Sequence, residues 1–401
     1  MFKLCVLSVR SRGRLWWNLP VCVAIATLSG VMGIVMPMLM PYWVKYGLTP
    51  GMIWFLQGAF AVTLALCIIP TGYLADVKSR KACLMIGVAL CLVGDLIYAY
   101  GSSFGEFLTA EILLGVGMAF TAGADGALLY DTLVVRKESK SFACWAAWGA
   151  AGMFVVSALA NLSSGFLVEI NERLPFLVSA SFMVLQLLLV FTLKEPPTIK
   201  EKRLVSVRQL AGVFRFCILE NFKLRWIIVA WSVLGVGSWL VVWFYPIYFA
   251  NSGWSVKEQG RIFAFYQLVA AVASLAARRF KNTHSVLSSI FVGFAICLVL
   301  GHMLFGLLLV SWGFLFGALH QVCRGAVPVV FSSALHYQTP SHIRATVSSI
   351  QGALATALYG VVNLRLGYAA EAFGFQAVLL SVGLGVAGIS VLVWAYRPRA
   401  M

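Results

Sequence analysis

At 401 residues the chain has length enough for two or three soluble domains, but 61% of it is apolar and only 11% charged, which excludes an ordinary water-soluble protein. A formal net charge of +16 would suggest nucleic acid as a partner in a soluble chain. In one this apolar it is read through the positive-inside rule instead, and no nucleic-acid partner is expected.

A helix needs roughly 20 mostly apolar residues to cross a bilayer. The basic start MFKLCVLSVRSRGRLWW leads into an apolar run that is long and lacks a small-residue cleavage site, so 17–43 is expected to be a retained first span, carrying Pro37, Pro41 and Tyr42. Comparable runs follow at 51–75, 82–101, 106–133, 142–168, 174–193, 226–250, 259–277, 284–304, 307–335, 344–367 and 374–396, twelve spans in all. They are continuous rather than alternating, which favours helices over a closed β-barrel.

After span two comes PTGYLADVKSRK, residues 70–81, four charges in an apolar setting. It lacks the Gly-x-x-x-x-Gly-Lys-Ser/Thr spacing of a phosphate loop. Topology anchoring would explain Lys78, Arg80 and Lys81 but not Gly72 or Asp76.

A charge at the bilayer centre costs about 2.5–3.5 kcal/mol on insertion scales, so charged residues inside spans are functional candidates. Asp95 in span three reads as a helix-packing residue. In span four the helical period places Glu111, Gly115, Met118, Ala122 and Asp125 on one face, with Asp131 at the end. The sequon at Asn161 lies within span five and is discounted. Between spans six and seven the charged stretch KEPPTIKEKRLVSVRQLAGVFRF divides the chain into 1–193, a linker 194–225, and 226–401.

Span seven offers Trp239, Trp243, Tyr245 and Pro246; the aromatics suit either an apolar cargo or an interfacial belt. Span ten carries His320 and Arg324 one turn apart, with Gln321 beside them. Arg365 in span eleven is placed to snorkel to the headgroups. With the N-terminus inside, only Lys45, Arg173, Lys257 and Arg261 fall on the outer side, and both termini are expected to be cytoplasmic. The nine cysteines lack CxxC spacing and read as packing residues.

Sliding the halves over each other brings Gly115 onto Gly317, Gly123-Ala124 onto Gly325-Ala326, Leu133 onto Leu335 and Glu169 onto Glu371. In this alignment His320 falls on Met118 and Arg324 on Ala122. The matches are few and partly small residues, which chance also produces; with the central linker they favour two parallel repeats.

The loop GYLADVKSRK resembles the signature of the major facilitator superfamily, Gly-x-Leu-Ala-Asp-Arg-x-Gly-Arg-Lys. It supplies Gly72, Leu74, Ala75, Asp76, Arg80 and Lys81, and departs at Val77 and Ser79. GADGALLYDTL (123–133) and RATVSS (344–349) are similar to bacterial members. The resemblance implies an all-α membrane protein with twelve transmembrane helices in two pseudo-symmetric six-helix bundles, spans one, four, seven and ten lining a central cavity. It also implies a conformational latch of Gly72, Asp76, Arg80, Asp131 and Arg344, with Asp76 facing the start of span eleven and Arg80 paired with Asp131.

The expected substrate and proton set is then Glu111, Asp125, His320, Gln321, Arg324, Trp239 and Trp243. The alternative is that Asp125 and Arg324 bind only protein groups and hold the bundle closed. The expected function is secondary active transport of a small organic molecule by alternating access, proton-coupled, in the bacterial inner membrane, as a monomer without cofactor or metal. No Walker loop, His-Glu-x-x-His or Gly-x-Ser-x-Gly motif points to ATP use or to an enzyme. Export is favoured over uptake, although the proline and span-four arginine that drug exporters of the superfamily carry are missing, Glu111 standing in the arginine's place. An uptake permease for an anionic metabolite and a non-transporting sensor remain alternatives.

Overall fold

The computed structural model describes residues 15–122, 124–196, 207–277, 284–339 and 343–398. Among them, twelve helices are long and apolar enough to cross a membrane: Asn18–Lys45, Pro50–Ala75, Arg80–Tyr100, Phe104–Arg136, Cys144–Ile170, Leu174–Thr192, Phe222–Trp243, Val256–Ala277, Leu287–Leu307, Ser311–Gln338, Thr346–Phe373 and Phe375–Ala395. These are spans one to twelve. The fold is that of an all-helical, multi-pass membrane protein. Leu66, Val272, Leu384 and Val391 are exposed, as expected where hydrocarbon is the solvent.

The first amides of a helix have no partner within it, and lipid supplies none, so spans begin on polar caps. Ser79 accepts from Ala82 N at 3.0 Å. Ser103 and Glu106 form a reciprocal capping box at the start of span four. Asn221 accepts from Leu224 N at 3.0 Å before span seven. Gly374, at φ +80, turns the chain between spans eleven and twelve in a conformation that strains any residue with a Cβ.

Among the described residues three spans are interrupted. Span one is helical over Asn18–Leu28, tightens to 3-10 over Ser29–Val35, and resumes over Met36–Lys45. Span seven passes through a 3-10 turn, Val241–Trp243, into the short helix Tyr245–Asn251, with Pro246 in its first turn. Span four consists of Phe104–Thr121 and Ala124–Arg136. Ala122, at φ −58 and ψ 116, turns its carbonyl out of the helical ladder. The common face expected for Glu111, Gly115, Met118, Ala122 and Asp125 therefore ends at the break, since helical periodicity holds only along an unbroken helix.

Contacts divide the chain into two compact units, one of Met1–Met36 with Leu66–Leu204 and one of Pro37–Ala65 with Val205–Met401. The first packs around Leu19, Ile25, Leu84, Leu128, Leu133 and Val190. The second packs around Leu224, Ile227, Leu234, Phe291, Leu298 and Phe331. The stretch expected as a linker contains the helix Val207–Arg215 and a π-helical turn, Phe216–Glu220.

Within the second unit, spans two and eleven approach through glycines. A Cβ on Gly367 would sit 2.6 Å from Pro50 O and 2.9 Å from Gly51 Cα, and one on Gly58 would sit 3.0 Å from Gly360 O. Backbones this close are the small-residue packing that serves helices in a bilayer, where burial from water no longer drives association.

Candidate functional site

The interrupted end of span seven and the middle of span ten build a polar cluster inside the second unit. The Arg324 guanidinium lies over the Trp239 ring, its Cζ 4.2 Å from the centroid. Arg324 Nη1 donates to Gln321 Oε1 at 3.1 Å. Gln321 Nε2 in turn donates to the Tyr245 hydroxyl at 3.3 Å. Trp243 Nε1 donates to the Tyr359 hydroxyl of span eleven at 2.8 Å. Among the described residues no carboxylate lies within ion-pair distance of Arg324, which is half-buried.

An arginine in a span normally takes a carboxylate partner or snorkels to the interface. This one is held instead by an aromatic face and a neutral amide. Trp239 is 42% exposed, whereas Trp243 is 5% exposed and ring-packed on Trp43 at 5.8 Å. Trp243 is thus a core residue rather than part of an interfacial belt.

His320 shares a helix with Arg324 but has a different environment. Its Nε2 lies 3.1 Å from Nδ1 of His302, a span-nine residue that sequence reasoning passed over. His302 Nδ1 also contacts Leu298 O at 2.8 Å. Both rings are fully buried, and Tyr245 and Phe305 pack around His320. His320 Nδ1 and His302 Nε2 have no hydrogen-bond partner among the described residues. The expected grouping of His320 with Arg324 around one ligand is not what the side chains form: His320 faces span nine, and Gln321 is the residue bonded to Arg324.

In the first unit, Glu111 is 4% exposed and accepts from the Tyr98 hydroxyl at 2.6 Å. Tyr98 is itself stacked on Phe107 and Phe176 at 5.4 and 5.2 Å. Asp125 differs in kind. It sits in the first turn of the second helical piece of span four, exposed, with Oδ1 accepting from Gly126 N at 2.6 Å. A carboxylate there interacts favourably with the positive helix end. No basic side chain pairs with Asp125 among the described residues. Asp95 is 4% exposed on span three, and its Oδ2 has no partner among the described residues.

The loop after span two is organised by its own unit. Arg80 forms an ion pair with Asp131, and its Nη1 also donates to Ala127 O at 2.6 Å. Both partners belong to the first unit, so this pair braces span three against span four and does not itself hold two halves together. Glu195, which the sequence placed in the linker, accepts from Ser79 Oγ at 2.7 Å, Arg80 N at 2.9 Å and Lys81 N at 3.0 Å. Lys81 Nζ reaches back to Phe191 O and Leu193 O, both at 2.8 Å. Ser79, standing where the signature has glycine, is therefore the helix cap of span three. A Cβ on Gly72 would meet open space. The side chains of Asp76 and Arg344 lie outside the described residues.

A family model described as Major Facilitator Superfamily matches residues 21–363. Among curated proteins, the chain is 22% identical over 207 residues to "Multidrug resistance protein 1" of Bacillus subtilis, covering 51% of this chain and 52% of that one. It is 24% identical over 165 residues to "Quinolone resistance protein NorA" of Staphylococcus aureus, covering 41% and 42%. The chain thus matches about half the length of these relatives or less. Among solved structures, a mutant of the nucleoside transporter NupG superposes with a TM-score of 0.81 at 13% identity, over 95% of this chain and 100% of that one. A bacterial homologue of the human lysosomal transporter Spinster gives 0.77 at 16%, over 96% and 97%. At such identities the superpositions show the fold alone.

Proposed function

The chain belongs to the major facilitator superfamily, whose members move small molecules across membranes, and on that premise we propose that it is a proton-coupled secondary active transporter of a small organic molecule, working by alternating access and in the direction of export. The observation that carries this reading is Arg324, an intramembrane guanidinium stacked on a part-exposed tryptophan with no carboxylate partner among the described residues. Holding a charge there is costly unless function uses it.

Asp125 takes the coupling role. It is exposed and free of a basic partner among the described residues, whereas Glu111 and His320 are buried and hydrogen-bonded. Trp239 completes the cargo site with Arg324, the buried Gln321 orients the guanidinium, and Trp243 is left to the core. Gly72, Asp76, Arg80, Asp131 and Arg344 are assigned to the conformational cycle rather than to cargo. The basic loops support placement in a bacterial cytoplasmic membrane with both termini inside.

Arg324 equally favours a second reading, uptake of an anionic metabolite. A thermal-shift screen of purified protein identifies binders, because only ligands of the folded state raise its stability. Flux of a confirmed binder in proteoliposomes of known orientation then decides direction. A ligand that binds but never crosses would make the protein a sensor built on a transporter fold.

A further inference from the structure

The donors of Arg324 define the cargo more narrowly. A guanidinium carries five N–H donors in a planar fork matched to a carboxylate. In Arg324 one nitrogen is engaged by the Gln321 amide oxygen, and one flat face is covered by Trp239. The remaining edge has no anion among the described residues. Gln321 cannot swing away freely, because Tyr245 holds its other end. The fork is thus pre-oriented by two neutral side chains, neither of which neutralises it.

The surroundings of that edge are aromatic. Trp239 is 42% exposed although it sits on a span that is otherwise largely buried. Tyr359 accepts from the Trp243 indole at 2.8 Å. Indole and phenol rings offer flat, low-entropy contact area to another ring, and the indole stacked under the guanidinium fixes the plane in which its donors point.

Resting on the transporter reading above, we infer that the Arg324–Trp239 pair recognises a planar aromatic carboxylate, the carboxylate on the guanidinium edge and the ring against Trp239 and Tyr359. An aliphatic acid of similar size satisfies the charge and leaves the aromatic surface idle. An uncharged aromatic amide fills the surface and leaves the guanidinium unpaired, which in a desolvated site is the costlier failure.

The test uses the full-length purified protein and three probes, 2-naphthoate, 2-naphthamide and octanoate, titrated calorimetrically in matched detergent. Naphthoate is expected to bind at least tenfold more tightly than either of the others. In Arg324→Gln the acid-over-amide preference collapses to within threefold, and Arg324→Lys, which keeps the charge and loses the fork, falls between. Trp239→Leu lowers the preference for naphthoate over octanoate. Equal binding of naphthoate and naphthamide by the unaltered protein overturns the inference without relying on any variant. If naphthoate does not bind but proteoliposomes carry another, uncharged solute, the inference fails and the transporter reading stands. If naphthoate binds with the expected preference and no solute crosses, the recognition chemistry holds and the transporter reading fails.

Discussion

Glu371 Oε1 accepts a hydrogen bond from the Gly51 amide at 2.7 Å, tying the end of span eleven to the first turn of span two. Carboxylate, free amide and helix dipole reinforce one another here. The Gly58–Gly360 and Gly51–Gly367 approaches extend the contact along both helices. These contacts all lie within the second unit, and if the transport cycle rearranges that unit they must open in part of it. A Cβ on Gly360 would lie 3.1 Å from the Ala61 Cβ, so a shift of a few tenths of an ångström brings the pair to the roughly 3.5–4.5 Å of a disulfide. The double variant Ala61→Cys, Gly360→Cys in a cysteine-free background is expected to cross-link under mild oxidation. Flux should stop and return on reduction. Cross-linked protein with undiminished flux would show that this seam never opens.

The same contact predicts a graded effect. Glu371→Gln keeps an acceptor and loses the charge, removing about 0.3–1 kcal/mol of interaction with the helix end. That shifts a two-state equilibrium by roughly two- to fivefold. Maleimide labelling of the single variant Ala61→Cys, at a position that is 1% exposed, should speed up by that factor in the same background.

At the loop after span two, Ser79→Ala should lower stability by about 0.5–2 kcal/mol, since it removes a side-chain cap, whereas Ser79→Gly should cost only about a few tenths. Glu195→Ala removes the acceptor shared by three donors and should lower the thermal midpoint at least as much as Ser79→Ala. Naphthoate affinity at Arg324 is a control that these changes should leave alone.

The buried histidines predict non-additivity. Replacing His302 by Leu strands Nε2 of His320 at a cost of about 1–3 kcal/mol, whereas His320→Leu leaves His302 Nδ1 its contact with Leu298 O, and replacing both removes the need for a partner. The double variant should therefore be more stable than the sum of the singles implies, as read by thermal unfolding of the four proteins. Strict additivity would mean the 3.1 Å contact contributes nothing.

The twelve spans were legible because each is a long apolar run, and the Arg80–Asp131 pair because both residues end spans on the side of the basic loops. The break at Ala122 was not. Gly123, Asp125 and Gly126 stand beside it, but the helical period that put Asp125 on the face of Glu111 carries no information about where a helix stops. The His302–His320 and Gly51–Glu371 contacts join residues far apart in sequence, where pairing depends on how helices rotate against each other. Arg324 and Trp239 were each visible as unusual residues; their stacking was not. Glu195 looked like one more linker charge, and only the fold turned it into a cap.

Proton coupling is tested most directly by flux into proteoliposomes of known orientation under an imposed pH gradient, with a binder from the thermal-shift screen as solute. Unaltered protein should accumulate solute against its own gradient, and a protonophore should abolish the accumulation. Asp125→Asn should keep solute exchange and lose the gradient-driven component. Accumulation that persists undiminished in Asp125→Asn at every pH, or flux indifferent to the gradient in the unaltered protein, would contradict a proton-coupled transporter with Asp125 as its coupling residue.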